Sequence, residues 1–221
     1  MRTFTTSGAA LGVPGLEKVE LRGAGAARLL EARGAGICGS RNVSERGLEI
    51  AMLVGKACAD HGVTLIAGDA RGVDDAAQVS ALRHGGDVIA VLPEGLGGWK
   101  PRTTYRGFLD EDWSNFLAVS QFEDGARWQV YRAMQRNEVV IALSAVLFVV
   151  ESGEDGGTFA AGESALRRKH PLYVLGDSEE TLTAGSRKLV SKGGQFLHAD
   201  AIDGVIASIA PDAVVIDLVH E

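Results

Sequence analysis

The sequence predicts an α/β fold with a mostly parallel sheet and helices on both faces. Three observations predict it. Short apolar runs recur along the chain, several without polar alternation, as in strands buried on both faces. Helix-patterned segments lie between most of these runs. Glycine makes up 29 of 221 residues, against a usual share of about 7%, and it clusters where apolar runs end, as tight strand-to-helix turns require.

Residues 1–15 are small, polar and glycine-rich and read as a loose leader. Residues 16–221 then form a single domain of ordinary size, long enough to bury a substantial core. Val19–Leu21 suggests a short strand and Ala26–Glu31 a helical turn. The regular pattern starts at Ala35. Strands are expected at Ala35–Cys38, Val63–Ala67, Asp87–Leu92, Phe116–Ser120, Ala145–Val150 and Leu172–Leu175. Helices are expected at Ser44–His61, Val73–His84, Ala126–Leu143 and Thr158–Lys169. In the first helix Leu48, Ala51, Met52, Gly55 and Ala59 share a face, and Asn42 with Glu45 has capping-box spacing. Gly85-Gly86 stops the second helix. Gly95–Thr104 reads as a long surface loop.

Composition excludes several classes. The apolar fraction of 46% excludes disorder. Cys38 and Cys58 alone make neither a disulfide framework nor a four-ligand zinc site, and they suit a reducing compartment. The N-terminus lacks the basic region and apolar core of a signal peptide, and no apolar run reaches the roughly 18 residues of a membrane span. A cytoplasmic protein without a membrane partner is expected. A net charge of −7 argues against coating duplex DNA while permitting a local basic pocket. No Walker A sequence, G-x-S-x-G elbow or metal-ligand spacing occurs. Gly34–Gly39 matches G-x-G-x-x-G, but the apolar strand lies inside the match, so the dinucleotide reading fails.

In an open α/β sheet, ligands bind beyond the carboxyl ends of the strands. Those ends read Gly39-Ser40-Arg41, then Gly68-Asp69-Ala70-Arg71-Gly72-Val73-Asp74, then Glu151 to Gly156-Gly157-Thr158. Glycine lets backbone N–H groups approach an anion, and a following helix adds its dipole. One glycine turn merely connects a strand to a helix. Three of them, with Ser, Thr and Arg beside them, point to a phosphate-bearing ligand. Asp69, Asp74 and Asp75 read best as helix N-terminal charge and capping. Arg132 and Arg136 share a helix face near Trp128 and Tyr131, which would suit single-stranded nucleic acid. The aromatics themselves, with Met134, read better as core. Arg136-Asn137 immediately precedes the apolar run that leads to the strand at Ala145–Val150. The histidines are scattered, several at probable helix ends.

These segments together resemble the DprA/Smf family of DNA-processing proteins, within the wider SLOG group. The matching stretches are Ile37–Arg41 on the strand ending G-S/T-R, Ala67–Gln78 with Gln78 at the usual histidine, Ala81–Leu92, Arg136–Ser144 and Val149–Phe159. The resemblance runs from about Val19 to Leu197. It implies a Rossmann-like three-layer α/β/α sandwich that binds single-stranded DNA in a positively charged pocket. It also implies a homodimer that helps load a RecA-type recombinase, with no metal or cofactor. By position Arg41 would contact a phosphate, and Gly68, Ala70 and Gly72 would form the close-approach turn. Arg136 and Asn137 would line the pocket, and Gly156, Gly157 and Thr158 would close it.

Glu138 replaces the second arginine of the family's R-N-R, and the family's frequent flanking helical and winged-helix domains have no counterpart. A module binding a nucleotide or another phosphorylated small ligand is the alternative. Related SLOG enzymes that cleave nucleoside monophosphates use a glutamate where this chain has Ala161, with Glu163 two residues further on. No catalytic residue is therefore assigned.

Overall fold

The computed structural model describes residues 3–31 and 34–211; His220 and the end of the chain lie outside them. A nine-stranded sheet runs in the order β1-β2-β6-β5-β4-β3-β7-β8-β9. Its strands are β1 (Thr3–Ser7), β2 (Glu20–Gly25), β3 (Gly34–Gly39), β4 (Leu65–Ala67), β5 (Val88–Val91), β6 (Phe116–Ser120), β7 (Ser144–Val150), β8 (Leu172–Gly176) and β9 (Gln195–His198). Pairing is parallel from β6 to β9, while β2 pairs antiparallel with both β1 and β6. The helices are α1 (Glu45–Asp60), α2 (Val73–Arg83), α3 (Val130–Leu143), α4 (Gly156–Arg167), α5 (Ala184–Ser191) and α6 (Ile202–Ser208).

The central strands alternate their side chains between two cores. Ile37, Leu65, Phe148 and Val150 face α1, α2 and α6, packing with Ile50, Val54, Val73, Ala77 and Ile206. Cys38, Ile66, Leu147 and Val149 face the other way, against Val139 and Ile141 of α3, Phe159 and Ala165 of α4, and Leu189 of α5. This is the expected three-layer α/β/α sandwich. Burial on both faces explains why these strands lack polar alternation.

Several local expectations are corrected. Thr3–Ser7, in the segment read as a loose leader, pairs along its length with β2. Ser44 caps α1 by accepting the Gly47 N–H at 3.0 Å; the Asn42 N–H donates instead to the Ser40 hydroxyl. The buried face of α1 centres on Ile50, Val54 and Cys58 and leaves Met52 41% exposed. Both arcs carry apolar residues at helical spacing, so the periodicity alone does not separate them, and Ala51 and Gly55 of the expected face are buried as well. A Cβ at Gly55 would lie 2.2 Å from the Ala77 carbonyl oxygen, so the glycine permits close packing of α1 on α2 there.

The loop at Gly95–Thr104 does not simply run over the surface. It folds Trp99 flat onto Phe116, with ring centroids 6.1 Å apart, while Trp113 meets the same ring edge-on at 5.6 Å. Phe116 is fully buried beneath them. Phe116→Ala should cost about 3–5 kcal/mol, read by urea denaturation, and should loosen the Trp99 loop.

Candidate functional site

The strand order positions a crevice. The chain leaves β3 for β4 on one side and returns to β7 on the other, so the loops after β3 and β7 diverge at their carboxyl ends. A hollow of about 370 Å³ opens there. Of the expected site residues, Gly39, Ser40, Arg41, Ala70, Asp74, Arg136, Asn137, Gly156, Gly157 and Thr158 line it. Gly68 and Arg71 line a second hollow of about 670 Å³, which shares Arg41, Ala70, Trp128 and Arg136 with the first. Gly72 lines neither hollow. It stands at φ +82, where a Cβ would lie 2.4 Å from the Ser40 carbonyl oxygen, so it permits the turn to close.

Arg132 is not brought to the hollows. Its guanidinium lies over Phe122 and Tyr131, 5.4 and 5.5 Å from the ring centroids, and donates to the Arg127 carbonyl. The start of α3 supplies both a ring and an open carbonyl, and these hold the side chain away.

Arg136 and Asp74 are 5% and 3% exposed. Arg136 Nη2 lies 3.6 Å from Asp74 Oδ2. The same oxygen accepts the Gly68 and Ala70 N–H groups at 3.1 and 3.3 Å. Burial pushes the Asp74 carboxyl up, while Arg136 and the two N–H donors draw it back down. The guanidinium keeps its proton. It lies directly over Gly68, where a Cβ would be 1.4 Å from Nη1. These contacts correct two expectations. The Gly68 and Ala70 N–H groups are occupied by Asp74 and are not offered to a ligand. Asp74 anchors the turn before α2 rather than capping the helix.

The frame extends to the other loops. Arg136 Nη1 donates to Asn137 Oδ1 at 2.8 Å, and Asn137 Nδ2 donates to the Gly157 carbonyl at 3.1 Å. Thr158 Oγ1 donates to the Gly39 carbonyl at 2.9 Å. The open donors are at the start of α4. Asp155 makes no side-chain capping bond there, and a Cβ at Gly156 or Gly157 would meet nothing within 4 Å. The start of α4, whose first-turn N–H groups have no partner within the helix, lines the same hollow as Arg41.

The aromatics are not core. Trp128, Tyr131 and Met134 are 45%, 52% and 45% exposed. Trp128 walls both hollows, and the Arg41 guanidinium lies 5.7 Å from its ring centroid. A short apolar segment at a helix start looks the same in sequence whether it faces the core or a ligand.

The carboxylates divide. Glu151, at φ +50, lines the hollow but accepts both the N–H and the hydroxyl of Ser44. Glu138 points away and binds Ser164 and Arg168, so its charge is absent from the hollow. Ala161 is buried in the core, and Glu163 pairs with Lys192; neither lines a hollow. Among the described residues, no group of three or more His, Cys, Asp or Glu could hold a metal ion.

Three residues of the second hollow had no sequence assignment, Trp99, Lys100 and Arg102, and Asp69, expected as helix N-terminal charge, instead lies in the turn before α2 and lines the same hollow. Asp69 adopts φ +56. Its carboxylate accepts Trp99 Nε1 at 2.9 Å and the Tyr105 hydroxyl at 2.8 Å, and its carbonyl accepts Arg102. Arg102 and Thr104 also bind Asp75. These bonds tie the loop after β5 to the turn after β4. The basic and aromatic residues of Gly95–Thr104 were the available signal. Burial pushes the Asp69 carboxyl up to about 6, against the opposing pull of its hydrogen bonds and Arg102.

A hollow at the switch point of an open α/β sheet, framed by glycine turns and bordered by cations and an exposed indole, places a candidate ligand site on a Rossmann-like domain. Residues 19–207 match the DNA recombination-mediator protein A model, and the chain belongs to that family. It is 25% identical over 162 residues to the DNA processing protein DprA of Streptococcus pneumoniae, covering 73% of this chain and 57% of that protein. The chain spans about half the length of the curated relatives it matches. Its fold is similar to that of DNA processing protein A from Helicobacter pylori, a structure described for its single-stranded DNA binding mode. The TM-score is 0.78 at 24% identity, over 94% of this chain and 95% of that one. The molybdenum cofactor carrier protein of Chlamydomonas reinhardtii is also similar, with TM-score 0.57 at 22% identity over 80% and 98% of the two chains.

Asp74→Ala leaves Arg136 buried without its counter-charge and frees two buried N–H groups. It should cost about 3–5 kcal/mol in urea denaturation, and Asp74→Asn, which keeps an acceptor, should cost less. Asp69 adds a pH dependence. Its folded value lies above the unfolded value of about 3.9, so the folded state binds the proton more tightly. The group's contribution is full below about pH 4 and is lost as pH rises through about 6, by at most about 3 kcal/mol. Relative to Asp69→Asn, wild type should lose stability across that window in melts at stepped pH.

Proposed function

We propose that this domain binds single-stranded DNA at the switch-point hollow. One observation carries the reading: the uncapped, glycine-opened start of α4 and the Arg41 guanidinium face the same hollow as the exposed Trp128 ring. Phosphate donors and a stacking surface in one place match what a single strand presents, a charged backbone and unpaired bases. Arg41 and the N–H groups of Gly157 and Thr158 would hold one phosphate. Trp128 would take a base. Gly39, Ser40, Asn137 and Gly156 shape the wall between them. Arg136, Asp74, Gly68, Ala70 and Gly72 hold that wall in place, and Arg71 adds charge beside it.

Family membership supports the reading, as does the fold shared with the Helicobacter pylori protein. Its setting follows the resemblance: a homodimer in the cytoplasm that delivers the strand to a RecA-type recombinase, without metal or cofactor. Cys38 and Cys58 are buried free thiols, in keeping with a reducing compartment.

A second reading, a nucleotide or phosphorylated small-ligand module, is favoured by the charge of the first hollow. Asp74, Glu151 and Asp155 line it along with Arg41 and Arg136, a balance that suits a small polar ligand.

Fluorescence anisotropy with labelled oligothymidylate at low salt separates the two. Wild type should bind, with affinity falling steeply as salt rises. Arg41→Ala should reduce the salt slope by about one. Trp128→Ala should cost about 1–3 kcal/mol, and Trp128→Phe should recover most of it. A nucleotide-induced rise in melting temperature with no oligothymidylate binding would favour the small-ligand module.

A further inference from the structure

We propose that the open edge of β1 takes an extended, basic segment of a partner protein as a further strand. This inference is independent of the nucleic-acid reading.

β1 pairs with β2 along one side and stands at the end of the sheet. The Gly8 N–H donates to the Val19 carbonyl. By the two-residue alternation of an antiparallel pair, Phe4 and Thr6 therefore also turn their backbone groups to β2. The backbone groups of Thr3 and Thr5 point outward, where an added strand would meet them. Native edge strands are commonly shielded by charge or proline. β1 reads Thr-Phe-Thr-Thr-Ser and carries neither.

A third hollow, of about 510 Å³, adjoins this edge. Thr3 and Thr5 line it with their cross-strand partners Ala24 and Arg22, and Trp99 and Trp113 line it from the neighbouring loops. Phe4 turns to the opposite face, where its ring fills the place a Cβ of Gly23 would take. Both indoles are fixed in advance, Trp99 by Phe116 and Asp69 and Trp113 by Phe116, so a ligand would not have to order them.

Charge selects the partner. Arg22 is held between Glu20 and Glu123, at 2.6 and 3.1 Å. Asp124 lines the hollow, and Glu111 and Asp112 directly precede Trp113. These three carboxylates are exposed and form no ion pair among the described residues. An arginine or lysine opposite Thr3 or Thr5 would lay its stem along the indoles and put its charge beside Asp124. The residues between would face Phe4 and suit apolar side chains. In strand addition the backbone bonds supply affinity, and the alternate side chains supply selectivity.

The test is fluorescence anisotropy at low salt with a labelled heptapeptide of alternating valine and arginine, against wild type, Thr5→Pro and Asp124→Lys. Thr5→Pro removes an outward N–H at an edge position, where proline is tolerated. Thermal melts confirm that both variants are folded. Wild type should bind this peptide about tenfold more tightly than its valine–glutamate counterpart or the same peptide methylated on its backbone nitrogens. Each variant should lose about tenfold in affinity, and Thr5→Pro should bind oligothymidylate as wild type does. Amide hydrogen exchange at Thr3 and Thr5 should slow in the complex, which a purely ionic association would not produce. Equal binding of the arginine peptide by wild type and both variants overturns the inference, as does exchange in β1 that the peptide leaves unchanged. A preference for the glutamate peptide also overturns it. A wild-type dimer in sedimentation that Thr5→Pro dissociates assigns the edge to a second copy of this chain and overturns it as well.

Discussion

The Arg136–Asp74 pair is the constraint on which the crest of the sheet depends. Taking two charges out of water costs several kcal/mol per ion unless their remaining valences are filled. Here Asp74 takes two backbone N–H groups besides the guanidinium, and Arg136 passes a donor to Asn137. The pair and the bonds it leads to thereby join four segments. The turn after β4 is held by its own N–H groups, α3 by Arg136 itself, the start of α4 by Asn137 on Gly157, and the end of β3 by Thr158 on Gly39. Gly68 is the condition for this arrangement, since any side chain there would occupy the guanidinium's place.

An apolar pair of similar volume would often stabilise a fold better than a buried ion pair. It would fail at this position for a specific reason. The turn between β4 and α2 leaves the Gly68 and Ala70 N–H groups pointing inward, and a buried donor without a partner costs about 1–3 kcal/mol. A carboxylate at the first turn of α2 satisfies both donors at once, and it then requires a cation. Asp69, in the same turn, repeats the solution toward the neighbouring loop, with indole and phenol donors in place of guanidinium. The loops around the crest are thus cross-linked by polar bonds, while the sheet below is held by apolar packing.

Much of this was legible in the sequence. The six core strands fall within two residues of the expected runs, because strands buried on both faces leave an unbroken apolar signature that only their polar ends interrupt. Arg41 and Gly156–Thr158 were identifiable because they stand at a strand end and a helix start, and Arg136-Asn137, within α3, because polar residues there interrupt an otherwise apolar run. What stayed hidden depends on direction rather than identity. Glycine turns announce close approach but not whether their N–H groups point inward, and Asp74 takes two of the donors that Gly68 and Ala70 seemed to offer. Trp128 and Met134 have helical spacing in either role. Trp99 and Tyr105 sit in a loop with no periodicity, so their packing on Phe116 and Asp69 has no local signal. The short β1 and β9 at the sheet edges are half-exposed, which leaves only a few apolar residues to mark them.

Net charge sets how such a site can work. At −7 the chain as a whole repels a polyanion, but that repulsion is screened beyond about 8–10 Å at physiological ionic strength. Contacts inside the hollows act at shorter range and against low-dielectric walls, so a few well-placed cations outweigh a larger number of distant carboxylates. A small set of ionic contacts gives a limited electrostatic gain, which salt erodes. Base stacking on an indole is largely insensitive to salt, and Trp128 stands beside Arg41 where the two can act on one nucleotide. On the proposed function the arrangement would favour a strand whose bases are unpaired: a duplex would offer the same phosphates but keep its bases stacked on one another, leaving the exposed ring without a partner.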